Sequence, residues 1–165
     1  MLNRLWLIPV LNFAEYIIDN AIRDTVDEPA IGSVVYCELM GGLAEHSGIY
    51  VGDNTIVHLN GDGWVEAVTP EEFIDRLDGF NTAMSIYTSC VDTIAVGSEQ
   101  VAKHAMQRLG EFNDYNLLSN NCHQFTASCL DGDLDNICNL MGSLKWKTWI
   151  HLDSDTWRFW EVGFF

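Results

Sequence analysis

The chain has 165 residues, 48% of them hydrophobic, with 24 acidic against 8 basic side chains and a formal charge of −16. That length and apolar content suit a folded domain with a sizeable core rather than a disordered chain. The charge argues against a nucleic-acid partner, which needs clustered Lys and Arg, and weakens attraction to anionic lipid while favouring solubility.

At the N-terminus, Arg4 followed by Leu5 to Leu11 has the look of a short signal-peptide core, but Asn12 and Glu15 interrupt the segment and no small-residue cleavage site follows. It reads as part of the mature chain. No run approaches the roughly eighteen apolar residues of a membrane-spanning helix. The five cysteines are odd in number and lack the spacing of a secreted disulfide framework. They read as free thiols in a reducing, cytoplasmic setting.

Leu11, Ala14, Ile18, Ala21 and Ile22 recur at helical spacing, which predicts an amphipathic helix over 11–24. Pro29 and Gly32 break the chain before a strand from Ser33 to Cys37, and Gly41-Gly42 marks a loop. Two β-rich runs, Ser47 to Val51 and Thr55 to Leu59, are joined by Gly52-Asp53-Asn54, which is hairpin chemistry. A third strand is expected near 63–67. Thr69-Pro70-Glu71-Glu72 is a helix start, with Thr69 as cap, Pro70 in the first helical position and Glu72 closing a capping box. Strands are expected near 84–87 and 93–96. Ser98 then begins a helix with Val101, Ala102, Ala105, Met106 and Leu109 on one face. Another helix runs from Cys122 to about Leu130, stopped by Gly132. The segment 145–165 is an aromatic-rich tail. With no repeat or linker, the pattern predicts a single α+β domain over 1–165.

The hairpin carries a constraint. A three-residue loop sets Tyr50 opposite Ile56 and Gly48 opposite His58, so that His46, Gly48, Tyr50, Ile56 and His58 share one face. Ser47, Ile49, Val51, Val57 and Leu59 take the other, mostly apolar face. The two histidines become diagonal neighbours, roughly 7–8 Å apart at the backbone, and Gly48 leaves room beside His58. A two-residue loop would slip the register and send one histidine to the opposite face.

Cys122 follows Asn120-Asn121 at the start of a helix. The thiolate is the reactive form, and both the positive end of a helix dipole and a nearby imidazolium favour it. A thiol there, facing a histidine held by a second histidine, is the equipment of a cysteine nucleophile. We take His46 as base and His58 as orienter, an order the residues alone leave open. Cys37, Cys90, Cys129 and Cys138 read as small buried hydrophobes, and His104, His123 and His151 as surface or hydrogen-bonded histidines.

The run from Glu45 to His58 resembles the H-x-x-I-Y-V-G-D-x-x-V-V-H box of the lecithin:retinol acyltransferase (LRAT)-like family. The run from Tyr115 to Phe125 resembles its second motif, Y-x-L-x-x-x-N-C-x-x-F, and Gly32-Ser33-Val34-Val35 resembles its G-D-x-[IV] strand opening with Ser33 in place of Asp. The resemblance covers about 30–130 in the right order. It implies a circularly permuted papain-like fold of the NlpC type, an antiparallel sheet packed on helices with the nucleophile at a helix N-terminus. It also implies Cys122 as nucleophile, His46 as base and His58 as third residue, with Tyr115, Asn121 and backbone amides near Cys122 as site support. Two positions depart from the family: Ser47, where lipid-handling members often carry Trp, and His123, where many carry an acidic residue.

No cofactor or metal site is expected. Asp131-Gly132-Asp133-Leu134-Asp135-Asn136 starts like a calcium loop, but Asn136 stands where Gly is needed and Gly142 where Glu is needed, so it reads as a solvated acidic turn. The expected activity is a thiol hydrolase or acyltransferase passing through a Cys122 thioester, with an acyl-bearing lipid, by resemblance a phospholipid, as donor. The alternatives are a cysteine peptidase or isopeptidase of the PPPDE or NlpC type on the same fold, and a non-enzymatic interaction module. The aromatic tail is expected to pack back on the domain. Its other reading is peripheral membrane contact, which Lys145, Lys147 and Arg158 among the aromatics favour.

Overall fold

In the computed structural model, which describes residues 25–39, 44–75, 85–114 and 121–162, the strand-forming runs become neighbours in one sheet. The helix expected over 11–24 lies outside these residues. The strands are β1 (Thr25–Val26), β2 (Val34–Leu39), β3 (Ala44–Gly52), β4 (Thr55–Leu59), β5 (Val65–Val68), β6 (Ile86–Val91), β7 (Ile94–Ala95) and β8 (Thr156–Trp160). Their order is β1-β8-β6-β2-β3-β4-β5, with β7 paired to β6. Neighbours run antiparallel except β1 and β8, which are parallel. Four helices accompany the sheet: α1 (Pro70–Ile74), α2 (Glu99–Gln107), α3 (Cys122–Asp131) and α4 (Met141–Leu152). The molecule is a mixed α+β fold.

Side-chain alternation divides the core in two. Val34, Tyr36, Ile49, Val57, Leu59 and Val65 face α2, α3 and α4, where Val101, Ala105, Phe125, Cys129, Met141 and Leu144 complete one buried cluster. Val35, Cys37, Tyr50, Ile56 and Ile86 face the other way, against Phe73 and Ile74 of α1 and Trp160 of β8. Each element is thus apolar where it meets the sheet, and the transfer of that area from water drives the packing.

The β3–β4 hairpin keeps the expected pairing by an unexpected route. Tyr50 pairs with Ile56 as anticipated, but the turn has only two central residues, Asp53 (φ 49°) and Asn54 (φ 55°), and Gly52 pairs with Thr55. Both positive φ values belong to the tight turn that Asp and Asn tolerate. Between Tyr50 and Gly52 the register shifts, so Val51 is the extra residue of a β-bulge. The bulge absorbs the slip that a two-residue loop would otherwise pass to the histidines.

Helix starts follow local chemistry. Thr69 accepts from the Glu72 amide and Glu72 reaches back to the Thr69 amide, while Pro70 occupies the first turn of α1. Ser98 stands at the N-cap of α2 without a side-chain cap bond. Gly132 ends α3 in the left-handed region at φ 78°. The aromatic tail divides. Trp157 packs against the α2–α4 side and Trp160 is buried on the α1 side. Trp146, Trp149 and Ile150 stand exposed on α4. No helix among the described residues is long and apolar enough to cross a membrane.

Candidate active site

β3 and β4 bring His46 and His58 together. His46 Nε2 lies 3.0 Å from His58 Nδ1, both residues are buried, and their rings meet edge-on at 4.8 Å. Phe73 of α1 backs the pair, with its ring 4.9 Å from His46 and 5.6 Å from His58. Gly48 makes the space. A Cβ there would meet Val57 O at 2.9 Å and His58 Cβ at 3.0 Å. A residue the sequence reading did not single out completes the row: Glu66, in register opposite His58 on β5, sets its Oε1 3.3 Å from His58 Nε2. Register was the available signal, because a cross-strand partner on the same face comes within side-chain reach.

Cys122 is the first residue of α3, and Asn121 is its N-cap. Asn121 Oδ1 accepts from the amides of His123 (3.0 Å) and Gln124 (3.2 Å), and Gln124 Oε1 accepts from the Asn121 amide (3.1 Å), a reciprocal capping box. Asn121 Nδ2 donates to Asn139 O at 3.0 Å, which ties the helix start to the chain ahead of α4. Tyr115 lies outside the described residues.

The body of α3 packs on the sheet face opposite the histidine pair, and Ser47 is the contact. Ser47 Oγ lies 2.8 Å from His123 Nδ1 and 3.0 Å from Thr126 Oγ1, and Thr126 Oγ1 donates to Cys122 O at 2.8 Å. The two positions that depart from the family pattern therefore touch each other. The Cys122 thiol lies 4.0 Å from Glu45 O and 3.9 Å from His123 Nδ1. The thiol sits beside the peptide that joins Glu45 to His46. The structure thus joins His46 to His58, and Cys122 to the start of the same strand, without a thiol–His46 hydrogen bond.

Two influences oppose each other at the thiol. Burial pushes its pKa up, and hydrogen bonds from the Ser47 amide and hydroxyl, together with the amides of His123 and Cys122, pull it down. Burial dominates, so the resting group is a protonated thiol. His123 is buried too, which lowers its pKa to about 4 and keeps its imidazole neutral at physiological pH. Cys37, Cys90, Cys129 and Cys138 are buried free thiols, and burial raises the last three to about 11, 12 and 11. Among the described residues no cluster of His, Cys, Asp or Glu is arranged to hold a metal ion, and the segment from Asp131 is a turn closed by Asp131 and Asp133 side chains on the amides two residues on.

A sheet with a buried histidine pair, and a capped helix that brings a buried cysteine to the strand of His46, make this a mixed α+β protein with a thiol beside an imidazole pair. The comparisons make this specific: the chain belongs to the lecithin retinol acyltransferase family, whose model matches residues 27–135, more than half of its length. The family's members are acyltransferases, and membership suggests acyl-transfer or thiol-hydrolase activity. A comparison with curated proteins returns no match.

Proposed function

We propose that the protein is a cysteine-dependent acyltransferase or hydrolase in which Cys122 forms a thioester with an acyl group taken from a phospholipid ester. The observation that carries this is the contact of His46 with His58, His46 lying on the strand whose first residues meet the Cys122 thiol. His46 takes the Cys122 proton. The thiolate, favoured by the Ser47 amide and hydroxyl, attacks the ester carbonyl, and a C–S bond forms. The ester C–O bond then breaks, and the leaving alkoxide takes the proton from His46. Water or an acceptor amine or alcohol attacks the thioester with His46 again as base, the C–S bond breaks, and the thiol returns. His58 holds His46 in its orientation, the role of a third member of a triad. On this reading the helix of Cys122 succeeds the histidine strands in sequence, the order of a permuted papain-like enzyme.

Turnover of a fluorescent phosphatidylcholine tests the roles. His46→Ala should lose about 10²–10⁴-fold in kcat with little change in KM, the usual worth of a general base. Retained turnover in that variant would remove His46 from the chemistry. Cleavage of a ubiquitin-type amide in place of the lipid would favour the peptidase alternative.

A further inference from the structure

The histidine pair ends on a carboxylate, and that has a consequence for protons. We propose that Glu66 is a positioning residue that fixes the tautomers of His58 and His46, so that the basic atom of His46 is Nδ1. The proposal rests on the reading of His46 as the base.

Two contacts in series set the protons. A carboxylate accepts hydrogen bonds and donates none. Glu66 Oε1 lies 3.3 Å from His58 Nε2, so the favourable neutral tautomer of His58 carries its proton on Nε2. His58 Nδ1 then bears a lone pair and accepts. His46 Nε2, 3.0 Å away, must be the donor in that contact. A neutral imidazole holds one N–H, so the lone pair of His46 falls on Nδ1. With the opposite tautomer of His58, His46 Nε2 would be the acceptor and its basicity would be consumed within the pair. The carboxylate therefore decides which ring nitrogen can take a proton from a thiol, without touching sulfur or substrate.

The fold supports each link. Glu66 is held opposite His58 by the β4–β5 register, in which Val57 pairs with Ala67 and Leu59 with Val65. Leu59 and Val65 are buried in the core on the α3 side, which turns the intervening Glu66 to the histidine side. Phe73 packs against both rings, 4.9 Å from His46 and 5.6 Å from His58. Water reaches the Glu66 side chain, which is 40% exposed, while His58 is fully buried. An exposed ion pair alone would contribute little. Here the partner is a buried ring with two inequivalent nitrogens, so the effect falls on proton position rather than on stability.

The test reads the tautomers directly. Long-range proton–nitrogen NMR of the full chain labelled with ¹⁵N-histidine, with resonances assigned from single His→Gln variants, should show Nε2–H on both His46 and His58 in the absence of substrate. Glu66→Ala should shift His58 toward an Nδ1–H population and lower kcat by about 10–100-fold with KM little changed, the range seen when a hydrogen-bond partner of a functional histidine is removed. Glu66→Gln keeps an acceptor oxygen and should preserve both the tautomer and most of kcat. Nδ1–H on His58 in the unmodified protein overturns the proposal, as does a Glu66→Ala protein with unchanged tautomers and rate. If the Nε2–H pattern holds but no acyl group ever reaches Cys122, the enzymatic reading fails and the positioning role of Glu66 stands. If the thioester forms but Glu66→Ala changes nothing, the reverse is true.

Discussion

Burial makes Cys122 a thiol at rest, and the groups around it determine how readily it ionises. Ser47 acts twice, touching His123 and Thr126 with its hydroxyl and favouring the thiolate with both hydroxyl and amide. A Trp at this position could make neither hydroxyl contact, and an acidic residue at position 123 would set a negative charge against a developing thiolate. The pairing of Ser47 with a neutral His123 avoids that repulsion. The buried imidazole leaves a signature in stability. The pKa of His123 is about 4 in the folded chain and about 6.5 when unfolded. Between those values the unfolded chain binds a proton that the folded chain refuses, so stability falls as pH drops from about 6.5 to about 4 and levels off below. The full effect is at most about 3 kcal/mol. In urea unfolding as a function of pH, His123→Gln should remove this part of the acid slope while the carboxylates keep theirs. An identical slope in the variant would show that His123 titrates normally.

The capping box and the bulged hairpin are the elements that set the site. Asn121→Ala forfeits two amide contacts and the tie to Asn139, and should cost about 1–2 kcal/mol in urea unfolding. Gly48→Ala forces a methyl against the Val57 carbonyl and His58 Cβ, and should cost about 1–3 kcal/mol. Because the strain falls on His58, Gly48→Ala should also lower kcat at temperatures where the variant remains folded, whereas full activity there would show that the His46–His58 contact is not needed. Much of this was legible in the chain. Thr69-Pro70-Glu71-Glu72 names its own cap, and the alternation through Ile49, Val57 and Leu59 names the core face of the hairpin. The Val51 bulge was not legible, because a two-residue turn with a bulge and a three-residue loop give the same alternation. Nor was Glu66, an ordinary polar residue until β5 is placed beside β4. Helix α4 escaped notice for a different reason. Met141, Leu144, Thr148 and Leu152 face the core, but the exposed Trp146, Trp149 and Ile150 blur its polar face.

At the scale of the molecule, the last described strand holds the sheet together. β8 lies between β1 and β6, matching Ile86 to Trp160 through Cys90 to Thr156, and its parallel pairing with β1 links residues far apart in sequence. Such long-range pairing has no local signature, so the aromatic segment read as a tail rather than as an inner strand. Truncation after Asp155 should leave the β6 edge unpaired and the Trp160 pocket empty, and size-exclusion chromatography should show aggregate in place of the full-length species. A soluble, folded truncation would mean that β8 is an ornament on the sheet.

The central claim is that Cys122 carries an acyl group. Incubation with a phosphatidylcholine of defined chain length, acid quenching and intact-protein mass spectrometry tests it most directly. The account predicts a mass increase equal to one acyl group less a proton, located on the Cys122 peptide, released by hydroxylamine and absent in Cys122→Ala. Undiminished lipid turnover by Cys122→Ala, or an acyl group found on another residue, would contradict it.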